Sequence, residues 1–173
     1  IERKADRLDK QATRKENRGK DVGDLRERIK ELHKSAQDIR DMRNDTDTEY
    51  RFAESSTPIS EYIGQNGHGD NVIEIAAHKS DFGTIVHEVR HGGQHARGEL
   101  DIKSLQNYGI DHEIDAYRAQ YSWSGQLECL FLDPADSRYS VFVEANVPYR
   151  KLISNIGEIN YNFIIHIIED WKY

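Results

Sequence analysis

The residues most able to do chemistry are His87-Glu88-Val89-Arg90-His91. On a helix, positions i and i+4 share one face, one turn apart. Two imidazoles placed this way can hold one metal ion. A glutamate beside the first can then reach a metal-bound water. Imidazole and carboxylate donors suit Zn2+, which takes three protein ligands and an open fourth position in a catalytic site. The expected set is one zinc ion, His87 and His91 as ligands, and Glu88 as general base.

A third ligand has to come from elsewhere. Glu113 lies far enough past His91 for a loop and a second helix to intervene. It shares a helix face with Ala116 and Gln120, next to an apolar stripe. A carboxylate there is costly to bury unless paired or metal-bound, so Glu113 is the expected ligand. Asp115, Glu99, Asp101, Asp111 and His112 remain alternatives. His95 continues the i+4 series, but a helix rises ~12 Å over eight residues, too far to share one ion with His87. Its expected place is behind the ligands or on the surface. Asp115 could accept a hydrogen bond from a ligand histidine. Tyr117, His112, Arg118 and Tyr121 are in range to stabilise a developing oxyanion. His33, His68, His78 and His166 show no ligand spacing, and Cys129 reads as a small buried residue.

Elements must position these groups. Ile85, Val86 and Val89 give the first helix an apolar side. It should run from a cap at Ser80 to about His91, where Gly92-Gly93 weakens or bends it. Ile110, Ile114, Tyr117 and Tyr121 recur at steps of 4, 3 and 4, which predicts a second helix from about 111 to 127. Residues 50–53, 59–63, 71–77 and 139–143 read as strands. Helical spacing returns at Ile156, Ile159, Phe163, Ile164, Ile167 and Trp171. The expected class is α+β, mostly helical, with a small antiparallel sheet beside the HExxH helix.

Residues 1–45 form a charged arm. Val22, Leu25, Ile29, Leu32, Ala36 and Ile39 make one narrow helical stripe. Ile1, Ala5, Leu8 and Ala12 make another in a different phase. A hairpin that packs on the domain, or spaces it from what precedes it, is expected. Residues 46–173 are then the metallopeptidase domain.

Composition narrows the rest. The chain has 173 residues, one cysteine and a net charge of -7. One cysteine excludes an internal disulfide framework. The negative balance argues against nucleic acid as a partner. No stretch approaches the ~18 apolar residues of a membrane span. No basic, apolar leader opens the chain, and residue 1 is Ile, so a processed or excised piece of a longer chain is expected.

With these residues assembled, the chain resembles a zincin metallopeptidase of the gluzincin type, in which the HExxH helix is followed by a helix supplying a glutamate. It resembles more closely the metallopeptidase toxin domains at the C-termini of Rhs-type bacterial polymorphic toxins. The shared pieces are Asp41-Met42-Arg43-Asn44-Asp45, Tyr50-Arg51-Phe52, His87 through Gln94, and Glu113-Ile114-Asp115-Ala116-Tyr117-Arg118-Ala119-Gln120. The resemblance covers about half of the chain. It implies a secreted or delivered effector that hydrolyses proteins or peptides and is neutralised by an immunity protein. The competing expectation is a partner-binding module with a structural metal site or none.

Overall fold

The computed structural model describes residues 1–54, 61–64, 71–77, 82–102, 106–131 and 149–162. The arm is a pair of helices, α1 (Glu2–Glu16) and α2 (Gly23–Asn44). Ala5, Leu8 and Ala12 bury themselves against Leu25, Ile29 and Leu32, so the first stripe meets the front part of the second, while Ile39 packs beside Met42, Ile75 and Val89. The turn between them needs glycine. Gly19 has φ 66°, and paired backbone bonds from Gly19 to Glu16 and from Lys20 to Lys15 close the end of α1.

The opposite side of α2 is buried too, and it is polar. Glu31, Ser35 and Asp38 face α3 (Phe82–Ala96), the helix that carries the HExxH pattern. They receive Arg90, which is only 1% exposed. Its Nε donates to Asp38 Oδ2 at 2.7 Å, Nη1 to Glu31 Oε2 at 3.1 Å, and Nη2 to Ser35 Oγ at 3.2 Å. Arg97 gives Asp38 a second guanidinium at 2.7 Å. Burial still pushes the Asp38 carboxyl up, against the pull of both arginines.

The helix was expected to falter at Gly92-Gly93; instead α3 continues to Ala96. The two glycines let α2 approach. A Cβ on Gly92 would strike Met42 Sδ, and one on Gly93 would lie 2.6 Å from Asp38 Cγ. Close packing offsets their poor helix propensity of ~1 kcal/mol each.

The second predicted helix is α4 (Ile110–Ser124), which ends where Gly125 adopts φ 80°. Its stripe works as read. Tyr121 is buried with Leu127, Ile153, Ile156 and Ile159, and Ile110, Ile114 and Tyr117 pack around them. Fully buried Ala116 and Ala119 keep the neighbouring surface of α4 thin.

The sheet beside α3 departs from the antiparallel expectation. It contains β1 (Glu49–Glu54), β2 (Glu61–Gly64) and β3 (Val72–Ala77) in the order β1-β3-β2. β2 pairs with β3 antiparallel, but β1 pairs with it parallel, Glu49 opposite Val72 and Glu54 opposite Ala77. The reason lies in β3. It buries Ile73 and Ile75 on one face and Val72 and Ala76 on the other, as a central strand does. Ile75 packs on Val89 and Met42, joining the sheet to α3 and α2.

A separate antiparallel pair, β4 (Leu127–Phe131) with β5 (Tyr149–Ile153), was not anticipated. Cys129 lies on β4, opposite Lys151. Where the C-terminal helix was expected, a single 3-10 turn, Ile156–Glu158, comes first, Ile159 is extended, and residues 161 and 162 are helical. The cap at Ser80, the strand at 139–143, and the rest of the C-terminal segment lie outside the described residues. Among the described residues, mostly helical α+β holds, and no helix is long and apolar enough to cross a membrane.

Arg90 tests this packing. Arg90→Met should leave Glu31 with Lys34 and Asp38 with Arg97 as their remaining cations, and cost about 1–3 kcal/mol in chemical denaturation. A loss below about 1 kcal/mol would mean that the network is not holding α2 on α3.

Candidate metal centre

The face of α3 turned towards α4 presents His87 and His91, with Glu88 beside them, and all three are buried. Glu113 comes from the first turn of α4, where a negative charge also suits the helix dipole. The start of that helix is held by His112, whose Nδ1 accepts from the Gly109 N–H at 3.1 Å.

The three donor groups converge. His87 Nε2 and His91 Nε2 are 3.2 Å apart. Glu113 Oε1 lies 3.3 Å from His91 Nε2, and its Oε2 lies 3.6 Å from His87 Nε2. Ligands ~2.0–2.1 Å from a tetrahedral ion sit ~3.3–3.4 Å from one another. The triangle therefore has the dimensions of one face of such a coordination sphere. Among the described residues, His87, His91 and Glu113 are the group that could hold a metal ion.

Electrostatics point the same way. Burial, reinforced by the neighbouring His91, takes His87 down to about 3, so its ring is neutral at ordinary pH. For His91 burial acts downward too, but the bond and charge of Glu113, then Glu88, outweigh it and raise the ring. Burial favours a protonated Glu113, but the bond from His91 and the charges of both rings hold it below the usual carboxylate range. Burial lifts Glu88 to about 7. A cation placed among these groups would relieve two buried carboxylates at once.

The remaining predicted residues divide. His95 is on the same helix but turned away. Its Nδ1 lies 3.3 Å from Leu100 O and its Nε2 3.5 Å from Thr48 Oγ1, so it takes no part in the triangle. Asp115 faces Arg90 at 3.9 Å rather than a ligand ring. Tyr117 stands edge-on to His87, with ring centroids 4.6 Å apart. Tyr121 bonds Asp24 in the core, and Arg118 donates to Ile159 O at 3.1 Å. Glu99 is bonded to Arg97, Asp111 and His33 are exposed, and His68, His78 and His166 fall outside the described residues.

Three residues at the site were not picked out from the sequence for the parts they take. Gln94 Oε1 lies 2.9 Å from His91 Nδ1. Tyr108, half-exposed, stacks near His112 and tilts over His91, with centroids 6.4 and 5.8 Å away. Gln120 favours the charged form of His87, although His87 Nδ1 is buried without a hydrogen-bonding partner among the described residues. The i+3 spacing of Gln94 from His91 was the available signal; Tyr108 left none.

Compared with known protein families, curated proteins and solved structures, the chain matches none.

Two outcomes are expected. The protein should bind one divalent ion per chain, and Glu113→Ala should reduce its affinity at least tenfold in a chelator competition; undiminished affinity would place the third ligand elsewhere. In chelator, the raised Glu88 makes the folded chain bind more protons than the unfolded chain between pH 4.5 and about 7. Its effect is to lower stability as pH rises through that window. Glu88→Gln does not titrate, so the melting temperature of the variant should gain on the wild type from pH 4.5 to 7 and then run parallel. A constant difference would show that Glu88 titrates normally.

Proposed function

We propose that this chain is a zinc-dependent endopeptidase with a zincin-like fold, the toxic effector part of a larger secreted or delivered bacterial protein. The observation that carries the peptidase reading is the triangle of His87, His91 and Glu113 donor atoms with buried Glu88 on the adjoining residue. The effector role rests on the resemblance of the ordered motifs to Rhs-type toxin domains. An immunity protein covering the site is the partner that role implies.

Zinc bound there would lower the pKa of its water from 15.7 to about 7 and polarise the scissile carbonyl. The protein's own groups do the rest. His87 and His91 offer Nε2 lone pairs, and the burial that keeps His87 neutral keeps its lone pair available. Glu113 supplies negative charge and closes the protein's side of the site. Glu88 takes the proton of the attacking water and returns it to the leaving amine. Burial works to raise Glu88, which suits a group that must hold a proton between the two transfers. Tyr108 and Tyr117 flank the ligand rings, Tyr108 tilted over His91 and Tyr117 edge-on to His87.

The competing reading, a structural metal site in a binding module, calls for a fourth protein ligand. Among the described residues, the donor group stops at three.

Cleavage of casein or a peptide library by the zinc-loaded chain tests the proposal. Glu88→Gln should retain zinc and lose about 10^2–10^4 in rate, and chelator should abolish cleavage by the wild type. Undiminished hydrolysis by Glu88→Gln, or a zinc-loaded wild type that cleaves nothing, would count against it.

A further inference from the structure

We infer that Gln94 is the positioning residue of this centre: it sets the tautomer of His91 and ties the helix of both histidines to the helix of Glu113. The inference rests on the metal-site reading above and adds to it a residue that is not itself a ligand.

Gln94 is 1% exposed, so water does not substitute for its contacts. Its two polar atoms point different ways. Oε1 meets His91 Nδ1 at 2.9 Å, and Nε2 reaches the backbone carbonyl of His112 on α4 at 3.4 Å. An amide has one accepting end and one donating end. Turned round, its oxygen would oppose the lone pairs of His112 O and lose that bond. The two neighbours together therefore fix the amide, and the fixed amide fixes the ring. Facing a carbonyl oxygen, His91 Nδ1 must carry the proton. When the ring gives up its other proton to become a ligand, it is bare at Nε2, the atom that lies 3.2 Å from His87 Nε2 and 3.3 Å from Glu113 Oε1.

The chemistry of the partner matters as well. A carboxylate in this position would add a third negative group to a pocket that already buries Glu88 and Glu113. The neutral amide orients the ring without that charge. Its second bond ends on the residue before Glu113, so one side chain spans the gap between two ligand-bearing segments. Asp115, the alternative orienting group, is directed at Arg90 and is 41% exposed.

Zinc affinity of the full chain, measured against a chromophoric chelator, tests this with Gln94→Leu and Gln94→Glu. Gln94→Leu should weaken binding about 10–100-fold. Gln94→Glu keeps the acceptor for His91 Nδ1 but loses the donor to His112 O and adds a buried charge, so it should recover only part of that loss. The ring nitrogen signals of His91 in the zinc-loaded wild type should show a protonated Nδ1 and a metal-bound Nε2. Wild-type affinity in Gln94→Leu, a loss in Gln94→Glu as deep as in Gln94→Leu, or the reverse assignment of the two nitrogens would overturn the inference. If Gln94→Leu does not fold, Gln94→Glu and the ring signals decide. A wild type that takes up no zinc would sink the metal site itself, and this inference with it; normal uptake with an indifferent Gln94 would sink this inference alone.

Discussion

A full positive charge sealed between two helices constrains everything near it. Arg90 has lost nearly all contact with water, and an uncompensated ion in that position would cost several kcal/mol. Glu31, Ser35, Asp38 and a backbone carbonyl compensate it, all on α2. The charge thereby sets the rotation of α3. With Arg90 turned to α2 and Val89 turned to Ile75 of the sheet, His87 and His91 are left facing α4. The orientation of the candidate ligands is thus a consequence of where the arginine between them must go.

The same interaction explains the glycines. A helix packed with charged residues on one neighbour and ligand residues on another has little room for side chains between. Gly92 and Gly93 fill that position, and α2 lies where their side chains would have been. On the α4 side, Ala116 and Ala119 do the equivalent service. Small residues on both flanks let polar groups from three helices meet at bonding distance in a region that excludes water. The charged arm is therefore joined to the site helix through its polar face, while its apolar face holds the hairpin together.

How much of this could be read from the sequence depended on range. Contacts set by spacing within one helix were legible: the His87–His91 pair, the stripe through Ile110 and Tyr121, and the two stripes of the arm. Glu113 was legible because an acidic residue beside an apolar stripe needs a partner. Contacts between distant segments were not. Nothing in its local spacing marked Arg90 for burial, since its partners Glu31 and Asp38 belong to another helix far away in the sequence. Gly92-Gly93 looked like a break because propensity is local and the close approach of Met42 and Asp38 is not. The parallel pairing of β1 with β3 was hidden for a related reason. The run 71–77 reads as a strand by itself, but only its neighbours on both sides show that Ala76 and Val72 are covered as well as Ile73 and Ile75.

The triangle itself reflects a balance between desolvation and attraction. Burial alone would discharge all four ionisable groups at the site, taking His87 and His91 down and Glu88 and Glu113 up. It prevails at His87 and Glu88. It loses at His91 and Glu113, which hold each other in their charged forms across 3.3 Å. The centre thus contains one internal ion pair. A divalent cation would replace the proton shared along that pair and meet a carboxylate already ionised. The same pairing gives the donors a spacing that one ion could occupy.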